Sequence, residues 1–436
     1  TKRNGKTHMD PFEPTNFLVQ VGTKNVDIDT DKHLLTFDHV EYSDRTGANA
    51  KLLQSILDKT TLLIMHNAQH DLMWLWASGF KYDGEIYDTM LAEYILQRGQ
   101  KQAVSLLACA ERRNLTFQKD DTLKKYFKEG YNTNEIPLKE LTFYLDCDLN
   151  VTAELFHAIN TEGYAKSESN GMDRVRAITC EVCKTLTRMY MRGFRVDRVA
   201  LQRVREEFEQ EKTGIEARLF KQIRELMGDT PVNLNSPEQV SQVIFSRKVI
   251  NKREWVELFD FTSNLSEFRD AIAANTTMLR KTIAFSCPTC NGIGSRYKKK
   301  KDGSNFKKSS KCQDCLARGY QLEETNKLAG LGFNPPNKSW VSANGFSTSK
   351  GNLDILISTA RTRSMGAAIK FLEDIKRLSA VTTYLSSFVE GISNYTKEDG
   401  FLHVSLTQHI TATGRFSGRN PNMQNMPRGG TFPVKR

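Results

Sequence analysis

The sequence predicts an α/β domain followed by a mainly helical segment that carries a small metal-stapled insert. Three observations predict it. Short β-like runs alternate with helical patterns over the first 130 or so residues. From about 138 onward the apolar residues fall at helical spacing. Two CxxC pairs then interrupt the helices, Cys287–Cys290 and Cys312–Cys315.

The elements follow in order. "NFLVQVG" (16–22) and "HLLTFDHV" (33–40) read as strands, residues 50–58 as a helix, and "TLLIM" (61–65) as an apolar strand. A helix is expected from about Asn67, with others near 88–97, 102–112 and 120–128. Leu138, Leu141, Leu145, Leu149, Thr152, Leu155 and Ile159 mark one face of a longer helix. A second runs from about Asp173 to Arg192 and stops at Gly193. Residues 196–228 read as one long charged helix or a helix pair. Ser236 and Pro237 signal another start, as N-cap and first helical residue. Helices resume at 348–360 and 364–390, and a hairpin is expected over 392–411 with its turn at "KEDG" (397–400).

The chain has 436 residues, enough for two or three domains with real cores. Sixty-two basic residues against 51 acidic ones give a net charge of +11, which favours a polyanionic partner. No apolar run approaches the roughly 20 residues of a membrane span. The first residue is Thr, not Met, so the start is expected to be a cut.

Four of the eight cysteines make two knuckles separated by 21 residues. Cys287, Cys290, Cys312 and Cys315 together supply the four thiolates of a tetrahedral Zn²⁺ site. The run between them includes Lys298, Lys299, Lys300 and Lys301 and is expected to be a β-ribbon turning at Asp302–Gly303. Those lysines are candidates for sequence-blind phosphate contacts; the plain alternative is a solubilising tip. Cys180 and Cys183 sit on a long helix and are expected to be core residues.

"HNAQHDLMWL" (66–75) spaces Asn67 and Asp71 four apart, one helix face if both are helical. "YLDCD" (144–148) does the same for Tyr144 and Asp148. With "YDTMLAEYIL" (87–96) between them, these stretches resemble the motifs of DEDDy-type 3′–5′ exonucleases, an RNase H-like fold, and of the proofreading domains of family A DNA polymerases. The resemblance implies that Asp71 and Asp148 ligate Mg²⁺ or Mn²⁺, that Tyr144 orients the attacking water, and that Asn67 supports the site. Asp88 opens the next helix and is expected to be structural. The family's other two carboxylates come from a DxE on a strand before the "LVQVG" run. No such pattern precedes it here, so the site is expected to be half present and the chain unable to degrade DNA alone.

"TATGRFSGRNPNMQNMP" (411–427) resembles the "TGRxSSxxPNLQNIP" element of family A polymerases, with Gly418 in place of the second Ser and Met423 and Met426 in place of Leu and Ile. "MRGFRVD" (191–197), "NLNSPEQVSQVIF" (233–245) and "GFSTSKGNLDIL" (345–356) resemble the thumb of the same family in the same order. Arg415, Asn422, Gln424 and Asn425 are thus candidate donors to duplex DNA. Minor-groove acceptors recur in every base pair, so such donors hold any sequence. Nine residues follow Pro427, before the palm carboxylates the family would need, and a second cut is expected there.

The expected organisation is an exonuclease domain at 1–160, a thumb and start of palm at 161–436, and a zinc-binding insert at 285–320. The resemblance implies a phage-type or bacterial enzyme of the cytoplasm. It would bind primer-template DNA, use dNTPs only in the intact parent, and carry a possible site for a processivity partner at the thumb insert. The alternatives are a free-standing DEDDy exonuclease acting on RNA and a non-catalytic zinc-dependent nucleic-acid binder.

Overall fold

A computed structural model of the chain describes residues 2–3, 6–7, 10–13, 15–116, 123–164, 171–299 and 305–426. The candidates Lys300 and Lys301, the 302–303 turn and Pro427 lie outside the described residues. Two compact units emerge, Thr1–Leu201 with Ser387–Arg436, and Gln202–Ser386. This division differs from the boundary expected near 160: the long helix Met172–Arg192 and the final fifty residues belong with the first unit.

In the first unit, Gln20–Lys24 pairs antiparallel with Lys32–Thr36, and Leu62–Met65 pairs parallel with Glu85–Asp88. Among the described residues these pairs remain separate two-stranded sheets and do not form one continuous sheet. Leu53 and Leu57 of the helix Ala48–Lys59 turn inward against Leu72, Leu75 and Ile86. Cys180 and Cys183 of the Met172–Arg192 helix complete that core as buried apolar groups. A second cluster packs Tyr87 and Ala92 on Val151 and Leu155 of the helix Leu138–Ala158.

That helix approaches the strand Gln20–Lys24 closely. A Cβ on Gly22 would meet Leu149 Cδ1 at 2.6 Å, so any larger residue would have to push the Leu149 side chain aside. Gln20 Nε2 donates to both Thr36 Oγ1 and Thr142 Oγ1 at 2.8 Å, tying helix and hairpin together. The helix carrying Tyr144 and Asp148 is thereby fixed at its buried face.

The expected 392–411 hairpin forms differently. The turn is there, with Gly400 N donating to Lys397 O at 3.0 Å. Thr396 bridges Leu402 antiparallel across it, but the longer pairings lie elsewhere: Phe401–Leu402 also pairs with Phe194–Arg195, and Ser405–Thr407 pairs with Ser417–Arg419. The strand signal was local, whereas the partner of Phe401–Leu402 lies some two hundred residues upstream. Gly193, with φ 65°, makes the joint possible, because a Cβ there would meet the His403 ring at 2.9 Å. His403 in turn stacks on Phe12 with ring centroids 3.5 Å apart.

The second unit is mainly helical. Residues Arg198–Met227 form one helix of 30 residues, not a pair. Arg377 makes a two-pronged contact with Glu211 of that helix at 2.6 and 2.8 Å, and Arg218 donates to Asp374 at 2.7 Å. Ser236 caps Pro237–Phe245, and Ser349 caps Lys350–Thr362. Trp255 is fully buried against Phe259 and Phe346, and its Nε1 donates to Ser342 O at 2.8 Å. No helix among the described residues is long and apolar enough to cross a membrane.

Candidate active site, metal centre and nucleic-acid surface

The strand Leu62–Met65 ends at His66, whose two ring nitrogens are held by Thr89 Oγ1 at 2.8 Å and Val104 O at 3.0 Å. Asn67 follows with φ 70° and ψ 56°, a left-handed conformation that turns the chain sharply into the helix Ala68–Ala77. Asn67 therefore precedes the helix and does not share a helical face with Asp71. That corrects the spacing argument: four-residue spacing implies a common face only when both residues are helical.

Asp88 secures this corner. Its carboxylate accepts from the backbone N–H groups of Asn67 at 3.1 Å, Ala68 at 2.9 Å, Met90 at 2.9 Å and Leu91 at 3.3 Å. It thus caps its own helix, Thr89–Leu96, and closes the start of Ala68–Ala77. The expectation that Asp88 is structural agrees with this geometry.

Asp71 lies in the first turn of Ala68–Ala77. Tyr144 and Asp148 lie one turn apart on Leu138–Ala158, and the Tyr144 ring packs on the buried cluster of Leu123, Ile136 and Leu141. Burial pushes the Asp71 carboxyl up to about 7, helped by the negative charges of Asp88 and Asp148. A carboxyl held up by burial and by neighbouring negative charge gains most from a cation beside it. A hard divalent cation suits such oxygen donors.

The elevated Asp71 pKa fixes a sign. The unfolded chain ionises this group near 3.8, whereas the folded chain without a bound cation ionises it near 7. Between those values the folded state holds the extra proton, so stability falls as pH rises, and the full penalty is present above 7. Asp71→Asn is therefore expected to raise the melting temperature of the cation-free protein, and by more at pH 8 than at pH 4. Thermal unfolding in the presence of a chelator checks this.

Sequence reasoning did not find Glu93. This residue is 2% exposed and ion-paired with Arg112 and Arg113. Its partners lie nineteen and twenty residues downstream, at no spacing that a helix or strand pattern would flag.

The four knuckle cysteines meet as expected. They are all buried, and their sulfurs lie within 4.8 Å of one another, the only such group of three or more metal-ligating atoms among the described residues. Cys287 Sγ is 4.0 Å from Cys312 Sγ, and Cys290 Sγ is 3.7 Å from Cys315 Sγ. A tetrahedron of Zn–S bonds of about 2.3 Å has edges of about 3.8 Å, so the donor set fits zinc. Gly294 N donates to Cys290 Sγ and Gly319 N to Cys315 Sγ, stabilising thiolate character. Both glycines have positive φ, and a Cβ on Gly319 would strike Gly292 O at 2.3 Å. Around the cluster, Arg280–Ser286 pairs with Tyr320–Leu328, and Ser295–Lys299, which contains Lys298 and Lys299, pairs with Asn305–Lys311. The β-structure thus extends beyond the 285–320 span read from the cysteines.

At the C-terminal end, Arg415, Gln424 and Asn425 line one open depression of about 500 Å³ with Gly414 and Phe416. Gln424 Oε1 accepts from Gly418 N at 2.8 Å, which leaves its amide N–H groups as the outward donors. Asn422 does not line the depression; its Oδ1 caps the following turn by accepting from Gln424 N at 3.1 Å. A side chain at 418 would approach Asn422 Oδ1 to 2.8 Å, so glycine here lets the Gln424 contact form.

A family model described as 3′–5′ exonuclease matches residues 9–163. The DNA polymerase of Bacillus phage SP01 is 25% identical over 394 residues, 88% of this chain and 36% of that protein. DNA polymerase I of Chloroflexus aurantiacus is 26% identical over 191 residues, 43% of this chain and 19% of that protein. DNA polymerase I of Treponema pallidum is 33% identical over 93 residues, 21% of this chain and 8% of that protein. Among solved structures, the POL domain of Pol1 from M. smegmatis, in complex with DNA primer-template and dNTP, is similar in fold. Its TM-score is 0.53 at 18% identity, covering 93% of this chain and 49% of that one. The chain spans about a third or less of the length of the curated relatives it matches.

Proposed function

We propose that the chain, whose residues 9–163 match a 3′–5′ exonuclease family and which is similar to phage and bacterial DNA polymerases, forms the proofreading and duplex-gripping part of a replicative family A DNA-directed DNA polymerase. The single observation that supports this reading is Asp71, inside the matched domain, whose carboxyl is pushed upward by burial and by the negative charges of Asp88 and Asp148.

Asp71 and Asp148 would hold Mg²⁺ or Mn²⁺, which supplies a nucleophile from water and stabilises the charge of an in-line phosphodiester displacement. Tyr144, one helical turn before Asp148 with its ring packed on the Leu123, Ile136 and Leu141 cluster, would orient the attacking water. Asp88 contributes rigidity, since its oxygens are committed to four backbone N–H groups. Asn67, at the corner Asp88 secures, supports the same turn. The cysteine cluster would hold structural Zn²⁺ in a ribbon-like insert, with Lys298 and Lys299 on its strand as phosphate contacts. Arg415, Gln424 and Asn425 offer donors to the minor groove of primer-template DNA, and dNTPs belong to the reaction of the whole polymerase. The cell interior, of a bacterium or of a phage's host, is the compartment in which such an enzyme meets DNA.

Binding of the chain to a primer-template duplex tests this reading. Affinity is expected to fall steeply with salt. Arg415→Ala combined with Gln424→Ala is expected to weaken duplex binding by about tenfold, from two donors at roughly 1 kcal/mol each, with little change between sequences. A chain that binds no duplex at low salt, or binds equally well without these donors, would overturn the assignment of that surface.

A further inference from the structure

The insert around the cysteine cluster carries most of the excess charge of the chain. Between Arg280 and Leu328 twelve residues are basic and four acidic, a balance of +8 in a chain of net +11. One arm of the insert is the ribbon in which Ser295–Lys299 pairs antiparallel with Asn305–Lys311. Its base is fixed at the metal end, where Cys312 N donates to Gly294 O at 3.0 Å beside the Ser295–Lys311 pair. Among the described residues no third strand joins this ribbon. Arg296, Tyr297, Lys308, Ser309, Ser310 and Lys311 are all exposed.

The register decides what each face offers. Tyr297 lies directly across from Ser309, and Ser295 from Lys311, so these four share one face. Arg296 lies across from Ser310 on the other. Tyr297 thus has small hydroxyl side chains beside and across from it and an ammonium on the diagonal, and it is 52% exposed. A diagonal neighbour stands about 7–8 Å away, within reach of the phosphate that flanks a base stacked on the ring. A solubilising arm needs charge and no bare aromatic ring. Single-strand binding uses both, a basic track for the backbone and a π-face for a base. In a duplex the base faces are already stacked on one another, so an exposed ring finds its partner on an unpaired strand.

We propose that the paired strands Ser295–Lys299 and Asn305–Lys311 hold an unpaired DNA strand, with one base stacked on Tyr297 and a flanking phosphate held by Lys311. The proposal rests on the DNA-binding reading above and deepens it: the phosphate contacts of Lys298 and Lys299 become part of a track for a single strand, not for a duplex. An enzyme that copies DNA meets such a strand in every unpaired stretch of template.

The test uses the zinc-loaded full chain and fluorescence anisotropy with three probes of equal length: oligo-dT, a strand made only of abasic residues, and a blunt duplex. Tyr297→Ala is expected to weaken oligo-dT binding about tenfold, the scale of one stacked base, and to leave binding of the abasic strand and of the duplex unchanged. Tyr297→Phe keeps the ring and is expected to bind as wild type does. Lys311→Ala is expected to lower the salt dependence of oligo-dT binding by about 0.7 in the log–log slope, the value of one phosphate contact on a single strand. Ser309→Glu sets a carboxylate across from an intact ring and is expected to weaken oligo-dT binding as well. Zinc content and melting temperature are read alongside, so that a variant with a damaged fold is told apart from one that has lost a contact. Unchanged oligo-dT binding in both Tyr297→Ala and Ser309→Glu, or an equal loss on the abasic strand in Tyr297→Ala, means that the ring takes no base and overturns the proposal. An equal loss on the duplex means a groove contact and overturns it too. Wild type that binds duplex but no oligo-dT sinks this proposal alone, whereas wild type that binds neither sinks the DNA-binding reading with it.

Discussion

Replacing Cys312 with Ser is expected to abolish zinc binding and unfold the segment between Arg280 and Leu328, while the rest of the chain stays folded. The reason lies in what that segment buries. Its buried cluster consists of the four cysteines alone. The large apolar residues around them remain in solvent, including Ile283, Phe285, Ile293 and Leu316. A metal bound to four thiolates contributes on the order of 10 kcal/mol or more to folding a module of this kind, and no apolar core stands behind it. Zinc content by elemental analysis and amide exchange over the paired strands 280–286 and 320–328 report the two effects separately. Cys180→Ser and Cys183→Ser serve as controls. Those thiols pack in the core of the first unit, where burial pushes both above the ordinary cysteine range, so zinc content is expected to be unchanged. Full zinc occupancy with native exchange in Cys312→Ser would contradict the metal assignment.

Asp88→Ala is expected to destabilise the first unit by about 3 to 5 kcal/mol, given roughly 1 to 3 kcal/mol for each buried donor left unsatisfied and some relief from water. Four backbone N–H groups lose their acceptor together, at the one corner where a parallel strand pair and two helix starts meet. Asp88→Asn retains one acceptor oxygen and is expected to lose less. Urea denaturation of the three proteins gives the order. The contrast with Asp71 is the informative part. Two carboxyls seventeen residues apart in sequence are both pushed upward by burial. One is answered by four N–H donors and removing it destabilises; the other is answered by further negative charge and removing it stabilises. Equal effects from both substitutions would mean that the two sites are not the structural and cation-binding pair described above.

Much of this was legible in the chain because the signals are local. The Gly193 stop, the Ser236 cap and the two CxxC knuckles each depend on residues within a few positions of one another. Asp71, Tyr144 and Asp148 could be placed on helices for the same reason. What was not legible depends on distant partners. The strand signal near 401 did not say that Phe194–Arg195 would pair with it. Nothing near Glu93 announced two arginines. Asn67 was misplaced for a different reason: asparagine tolerates the left-handed region better than most residues, and a single such residue moves the helix start by one position.

The most direct measurement is a titration of Mn²⁺ into the zinc-loaded chain, followed by electron paramagnetic resonance, for wild type, Asp71→Asn and Asp148→Asn. A shared cation site predicts saturable binding in wild type and a loss of at least about tenfold in affinity in each variant, since one charged ligand is worth on the order of 1.5 to 3 kcal/mol. The Mn²⁺ affinity should also rise as pH increases through 7, because the cation must displace the Asp71 proton. Equal Mn²⁺ affinity in all three proteins would contradict the assignment of Asp71 and Asp148 as the metal-holding carboxylates of an exonuclease site.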